Sequence, residues 1–211
     1  MTTRAEALEE IAEQVRVCKL CRLYQYATKA VPGAGNPDAE ILFIGEGPGY
    51  NEDKTGLPFV GRSGEYLDKL LSLIGLSRKQ VFITNVVKHR PPENRDPLPD
   101  EIAACKPYLD RQIDIIDPLV IVTLGRHSMA RYFPGGKITQ IHGKPKFDAD
   151  RAYYPVFHPA AVLRNPSWQE GMEADFKRLP QILAKVKETR ASAPKRKPPQ
   201  DDTPPTQLPM F

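Results

Sequence analysis

The chain has 211 residues, 40% of them apolar, and a formal net charge of +4. That length suffices for one α/β domain with a full core and some excess, while no apolar run is long enough to span a bilayer. The mild positive charge permits a polyanionic partner without requiring one, and the N-terminal Met1-Thr2-Thr3-Arg4-Ala5-Glu6 lacks the apolar core of a signal peptide, so a cytoplasmic location is expected.

Along the chain, Leu8, Ile11, Ala12 and Val15 recur at helical spacing and predict a helix from Thr3 to Val17, after which Cys18-Lys-Leu-Cys21 follows. Ile41-Leu42-Phe43-Ile44 reads as a buried strand. It runs into Gly45-Glu46-Gly47-Pro48-Gly49, a loop type that presents backbone N–H groups and lets the chain approach a ligand closely. A helix is predicted from Gly64 to Ile74, stopped by Gly75, then a strand at Val81–Val87 and a polar loop at His89–Pro97. Pro99 suits a helix start, and that helix is predicted to reach Ile116. Leu119–Gly125 is the third apolar strand, followed by a short helix over Arg126–Phe133. Tyr153–Phe157 is the fourth, ending at His158-Pro159, and the last helix is predicted from Trp168 to Thr189.

Continuous apolar strands alternating with helices imply a three-layer, doubly wound, mainly parallel four-stranded sheet with flanking helices. Ligands bind such sheets beyond the carboxyl ends of the strands. The Gly45–Gly49 loop, Asn85, Gly125 and His158 all fall at or just past strand ends and are expected to share one crevice. A dinucleotide-binding domain would want GxGxxG with a prompt helix and an acidic residue ending the second strand. Here Pro48 interrupts the glycines and Asn85 holds that position.

Three cysteines, Cys18, Cys21 and Cys105, argue against a disulfide framework in a cytosolic chain, and the CxxC pair suits metal ligation or redox chemistry. Residues 1–190 form the expected domain. Residues 191–206, rich in proline and charge, read as a disordered linker, and residues 207–211 return to apolar character.

GEGPGYNEDKTGLPFVGRSG, TNVVKHRPPENR and FHPAAVLRNP, in that order, resemble the family 4 uracil-DNA glycosylases, the iron–sulfur members of their superfamily. The resemblance covers roughly Cys18 to Leu183. It implies a hydrolase that flips uracil out of DNA and cleaves its N-glycosidic bond in base excision repair. Phe59 then matches the stacking wall and Asn85 the amide that pairs with uracil O4 and N3. His158 matches the donor to O2, and the Glu46–Gly47 backbone a further base contact. Glu52 and Glu46 match acidic positions of the first motif, with Glu52 the expected partner of the attacking water or the sugar cation. Arg62, Ser63, Leu163 and Arg164 are expected DNA contacts, with Leu163–Ser167 as the intercalation loop. Lys88, Arg90, Arg95, Arg126 and Asn165 are further candidates on the same face.

The resemblance also implies a [4Fe–4S] cluster on Cys18, Cys21 and Cys105. The fourth family cysteine is replaced here by His89, and histidine serves as an Fe–S ligand in Rieske centres. The competing readings of this departure are a labile three-ligand cluster and no cluster. A related group that becomes covalently joined to uracil-containing DNA carries a GEQPG motif and an Arg-rich insertion ending in histidine. Here the first motif is GEGPG, and the loop Arg90–Pro99 lacks both the insertion and a histidine, so turnover is expected rather than a stable adduct. A non-catalytic Fe–S DNA-binding module on the same fold is the other alternative. Gln207-Leu208-Pro209-Met210-Phe211 resembles the bacterial sliding-clamp-binding motif, with Gln207, Leu208, Met210 and Phe211 as its contacts. The expected partners are therefore uracil-containing single- and double-stranded DNA and the clamp, with no membrane and a monomeric enzyme.

Overall fold

The computed structural model of the protein describes residues 2–192. The first helix, α1 (Arg4–Arg16), starts where a capping box allows: the Thr3 hydroxyl accepts from Glu6 N–H while the Glu6 carboxylate accepts from Thr3 N–H. Its buried residues are Leu8, Ile11, Ala12 and Val15, the stripe read from the sequence.

Six strands form one sheet. The central four are β2 (Ile41–Gly45), β3 (Phe82–Asn85), β4 (Val120–Leu124) and β6 (Ala152–Val156), paired parallel with one another. Antiparallel edges are added by β1 (Ala34–Gly35) and β5 (Lys146–Phe147), giving the order β1-β3-β2-β4-β6-β5. The expected four-stranded sheet is thus the parallel core of a six-stranded one. Each edge strand has two residues, too short to show a period of two in the sequence.

Alternation of side chains along the strands builds the three layers. Ile41, Phe43, Val122 and Tyr154 face α3 (Arg62–Ser72) and α8 (Gln169–Ser192), through Leu67, Leu70, Leu71, Phe176 and Leu179. Leu42, Ile44, Phe82 and Ile121 face α1 and α4 (Pro99–Ile116), through Leu8, Leu109, Ile113 and Ile116. The remaining helices, α2 (Tyr50–Thr55), α5 (Arg126–Ala130), α6 (Ile138–Ile141) and α7 (Pro159–Arg164), are short. The chain leaves β2 toward β3 on one side and returns past it to β4 on the other. At such a reversal the loops part and open a crevice at the carboxyl edge.

Two expectations change. The stretch after His158 is helical, so Leu163 and Arg164 belong to the last turn of α7 rather than to a loop, and Asn165 caps it. Pro159 at the first helical position explains the start. The helix expected to end near Thr189 runs to Ser192, and from residue 193 the linker and the Gln207–Phe211 motif lie outside the described residues. Among the described residues no helix is long and apolar enough to cross a membrane.

Candidate active site

A cavity of about 670 Å³ opens at the carboxyl edge of the parallel strands. It gathers residues far apart in sequence: Glu46, Gly47 and Glu52 after β2, Phe59 and Ser63 before and within α3, Asn85 at the end of β3, and His158 and Arg164 after β6. Arg62 and Leu163, also expected on this face, are not among its walls; Leu163 is 38% exposed beside it.

Asn85 is the chemically unusual member. It is 1% exposed, and its Oδ1 has no hydrogen-bond partner. A buried, unpaired amide oxygen costs roughly 1–3 kcal/mol, so its persistence points to a partner that arrives from outside the protein. Gly45 makes room for it: a Cβ there would stand 2.3 Å from Asn85 Oδ1 and 2.8 Å from the Phe59 ring. The amide and the ring thus meet over a backbone that has no side chain to separate them.

His158 forms the opposite wall, its ring centroid 5.7 Å from that of Phe59. It is the N-cap of α7, and its Nδ1 accepts from Ala160 N–H at 3.1 Å. An accepting Nδ1 places the imidazole proton on Nε2. Burial pushes the group down to about 4, with the Arg164 charge acting in the same direction. The pocket therefore holds a neutral imidazole whose free ring nitrogen is a donor.

The two glutamates have different surroundings. Glu52 Oε1 accepts from Val60 and Gly61 N–H at 2.9 and 3.1 Å, and Oε2 from Gly49 N–H at 3.1 Å. It staples the glycine loop to the segment before α3, which engages both oxygens expected to serve the water. Glu46 faces His127 Nε2 at 3.7 Å, and that nitrogen lies 3.2 Å from Asp96 Oδ1. Burial holds the Glu46 carboxyl above the usual range. Asp96 is held low by its hydrogen bond to Arg126.

Among the other basic candidates, Lys88 is not a DNA contact. It is 1% exposed, and its Nζ donates to Thr84 Oγ1 at 2.6 Å, Asn85 O at 2.9 Å and Gln112 Oε1 at 2.7 Å. Burial pushes it down to about 7. Arg95 is paired with Glu101 through both terminal nitrogens, and Arg90 lies over the Tyr50 ring.

A second cavity of about 620 Å³ is shared by Cys18 and His89. The Cys21 and Cys105 thiols hydrogen-bond each other, which lowers Cys21 to about 7 and, with burial, pushes Cys105 up. Cys105 Sγ also accepts from the backbone of Lys88, one residue before His89. Burial lowers His89, favouring the neutral form that ligates metals. Among the described residues, three such ligands crowd within 4.8 Å of one another only at Glu46, Asp96 and His127. The thiols and His89 are spread more widely than the ligands of a single ion. By donor chemistry, three soft thiols with one imidazole suit iron–sulfur ligation. The donor set fits.

Several lining residues were assigned no role from the sequence: Phe157 and Trp168, stacked at 4.7 Å, and Ile138 close the wall beside His158. Asp96 and His127 lie thirty-one positions apart, and only the fold brings them to Glu46.

The model of the family described as the uracil DNA glycosylase superfamily matches residues 32–184. The chain is 52% identical over 187 residues to the type-4 uracil-DNA glycosylase of Sulfurisphaera tokodaii, covering 84% of this chain and 85% of that protein. It is 48% identical over 170 residues to the type-4 uracil-DNA glycosylase of Thermotoga maritima, covering 79% and 88%. A type-5 uracil-DNA glycosylase of Thermus thermophilus matches at 36% over 116 residues, 48% of this chain.

Proposed function

This chain belongs to the uracil-DNA glycosylase superfamily and, within it, to the type-4 enzymes, and from that premise we propose how its residues excise uracil from DNA. The reaction is hydrolysis of the N-glycosidic bond. Water adds to the sugar carbon, the bond to N1 breaks, and free uracil and an abasic site result. The buried, unpartnered Oδ1 of Asn85 carries the reading. It accepts from uracil N3–H while the amide nitrogen donates to O4. Cytosine, with an amino group at position 4, presents the reverse pattern and leaves the amide unpaired. Phe59 stacks on the flipped base, which is worth about 1–3 kcal/mol in comparable sites.

As the bond breaks, negative charge grows on uracil. The Nε2–H of His158, held in that tautomer by α7, donates to O2 where the charge develops. Glu46 lines the same cavity, and its raised affinity for a proton suits it to position the water and accept that proton. Glu52 keeps the loop in shape beneath it. Phosphates are met by Arg62, Ser63 and Arg164, and the gap left by uracil is filled by Leu163 from the end of α7.

A uracil-containing oligonucleotide tests the reading through alkali-labile cleavage. The wild type should cut at uracil, and Asn85→Ala and His158→Ala should not cut at comparable rates. The same reaction on a denaturing gel separates turnover from covalent capture. We expect free protein, and a shifted band that survives denaturation would make this chain a covalent binder instead.

Cys18, Cys21, Cys105 and His89 would hold a [4Fe–4S] cluster. Such a group, when bound, supplies a cross-link between the end of α1, the exit of β3 and α4, with a potential that histidine ligation raises. Anaerobically purified protein should be brown with about four irons per chain; colourless, active protein would refute the assignment. Gln207–Phe211 resembles a clamp-binding peptide, and we propose that it docks this monomeric, cytoplasmic enzyme on the sliding clamp. Deleting those five residues should abolish clamp pull-down and spare cleavage of short oligonucleotides.

A further inference from the structure

We infer that Arg78 is a positioning residue for uracil recognition: it clamps the backbone at Phe59 so that the aromatic ring stands as the pocket wall. The inference rests on the uracil-excision reading and adds a residue outside the cavity to it.

Phe59 is buried at φ 54, in the left-handed region. A side chain crowds its own carbonyl there, so the conformation persists only where the surroundings over-determine it. Arg78 provides that. From the turn between α3 and β3 it reaches back across α3. Its Nη1 donates to Pro58 O at 2.9 Å, and its Nη2 donates to Phe59 O and, at 3.2 Å, to Gly64 O. Its Nε donates to Asp68 Oδ1 at 2.5 Å, which fixes the plane of the guanidinium. One rigid fork thus holds three carbonyls and a carboxylate, a pattern a lysine ammonium cannot reproduce.

The first turn of α3 presses on the same carbonyl. A Cβ at position 64 would stand 1.7 Å from Phe59 O, so only glycine lets the helix approach. Beyond the strained residue, the ring packs over Gly45 beside Asn85 and opposite His158. Arg78 itself is not a wall of the cavity. Whatever it does for the substrate passes through Phe59.

A double-mutant cycle on the full chain tests this, reading single-turnover uracil release and the affinity for free uracil. Arg78→Met and Phe59→Ala should each weaken uracil binding roughly tenfold, the loss of one base–aromatic stack. The double variant should be within about twofold of Phe59→Ala, because Arg78 then has no ring to position. Arg78→Lys should not rescue. Asp68→Asn keeps the guanidinium and frees its orientation; it should show the same non-additivity at smaller size, so the test survives if Arg78→Met folds poorly. Arg78→Met costing the same factor with and without the Phe59 ring, or lowering the melting temperature with uracil affinity unchanged, would overturn the inference. A wild type that releases no uracil would instead defeat the functional reading and this inference with it.

Discussion

The segment Asn85–His89 has a cavity at each end, and the two are furnished in opposite ways. At Asn85 a buried oxygen is left without a partner, a phenylalanine is held at positive φ, and an imidazole is kept neutral. At the other end the polar groups satisfy one another: Cys21 with Cys105, Cys105 with the Lys88 backbone, and the Lys88 ammonium with Thr84, Asn85 and Gln112. Gln112 Nε2 and Thr84 Oγ1 also both donate to Pro32 O, closing the network. The first region spends stability on groups poised for a ligand. The second builds a satisfied frame that holds the first in place, since Lys88 Nζ grips the carbonyl of Asn85 itself. Local strain at a site persists because its neighbourhood is over-determined.

The largest effect that would break this contrast is kinetic. His158→Ala should slow uracil release at saturating DNA by roughly 10²–10³-fold, the usual loss for one donor aimed at developing charge, with little change in folding. A melting curve that collapses while the rate holds would place His158 in the frame instead.

Acid titration comes next. The folded imidazole of His158 sits at about 4 against an ordinary value near 6.5. The unfolded chain therefore binds more protons between those values. Stability is fully present above about pH 6.5 and falls as pH drops toward 4, by up to about 3 kcal/mol. His89, also lowered by burial, adds to the slope, so the His158 share is the difference between wild type and His158→Gln in denaturant melts at pH 7 and pH 4.5. Parallel losses in the two proteins would remove His158 from the account.

Stability itself should separate the regions at smaller scale. Gln112→Leu strips partners from a buried ammonium and from Pro32 O, and should cost about 1–3 kcal/mol. Asn85→Ala removes a group that already lacks a partner and should cost distinctly less, although it damages activity more. Chemical denaturation of the two variants side by side tests the contrast, and the reverse order would refute it. The smallest contrast lies within the pocket. Glu52→Ala frees three backbone N–H groups and should lower the melting temperature by several degrees. Glu46→Ala should leave it nearly unchanged and act on the rate. Thermal melts paired with oligonucleotide cleavage would sharpen or reverse that division.

Much of the fold was legible because its strands are buried on both faces and read as continuous apolar runs, Ile41–Ile44 and Val120–Leu124 above all. Two-residue edges and the short α7 were not, since neither is long enough to show a period. Glu52 illustrates the limit at the site. Its place in the first motif pointed to chemistry, but an acidic residue three positions after Gly49 also suits a backbone staple, and spacing does not choose between them.

The order of apolar runs, the glycines of the loop and the polar residues at strand ends were enough to determine a parallel sheet with Asn85 and His158 at its carboxyl edge. Each of those features is local, written in residue type and period. Tertiary structure alone decided which partners the polar groups find: that Asn85 Oδ1 has none, that Lys88 is wholly consumed, that Glu46 meets His127, and that Arg78 reaches back to the carbonyl of Phe59. Most of those outcomes depend on side chains that the fold brings together from distant parts of the chain. A hydrogen bond between residues nineteen or more positions apart leaves no periodic trace in the chain that makes it.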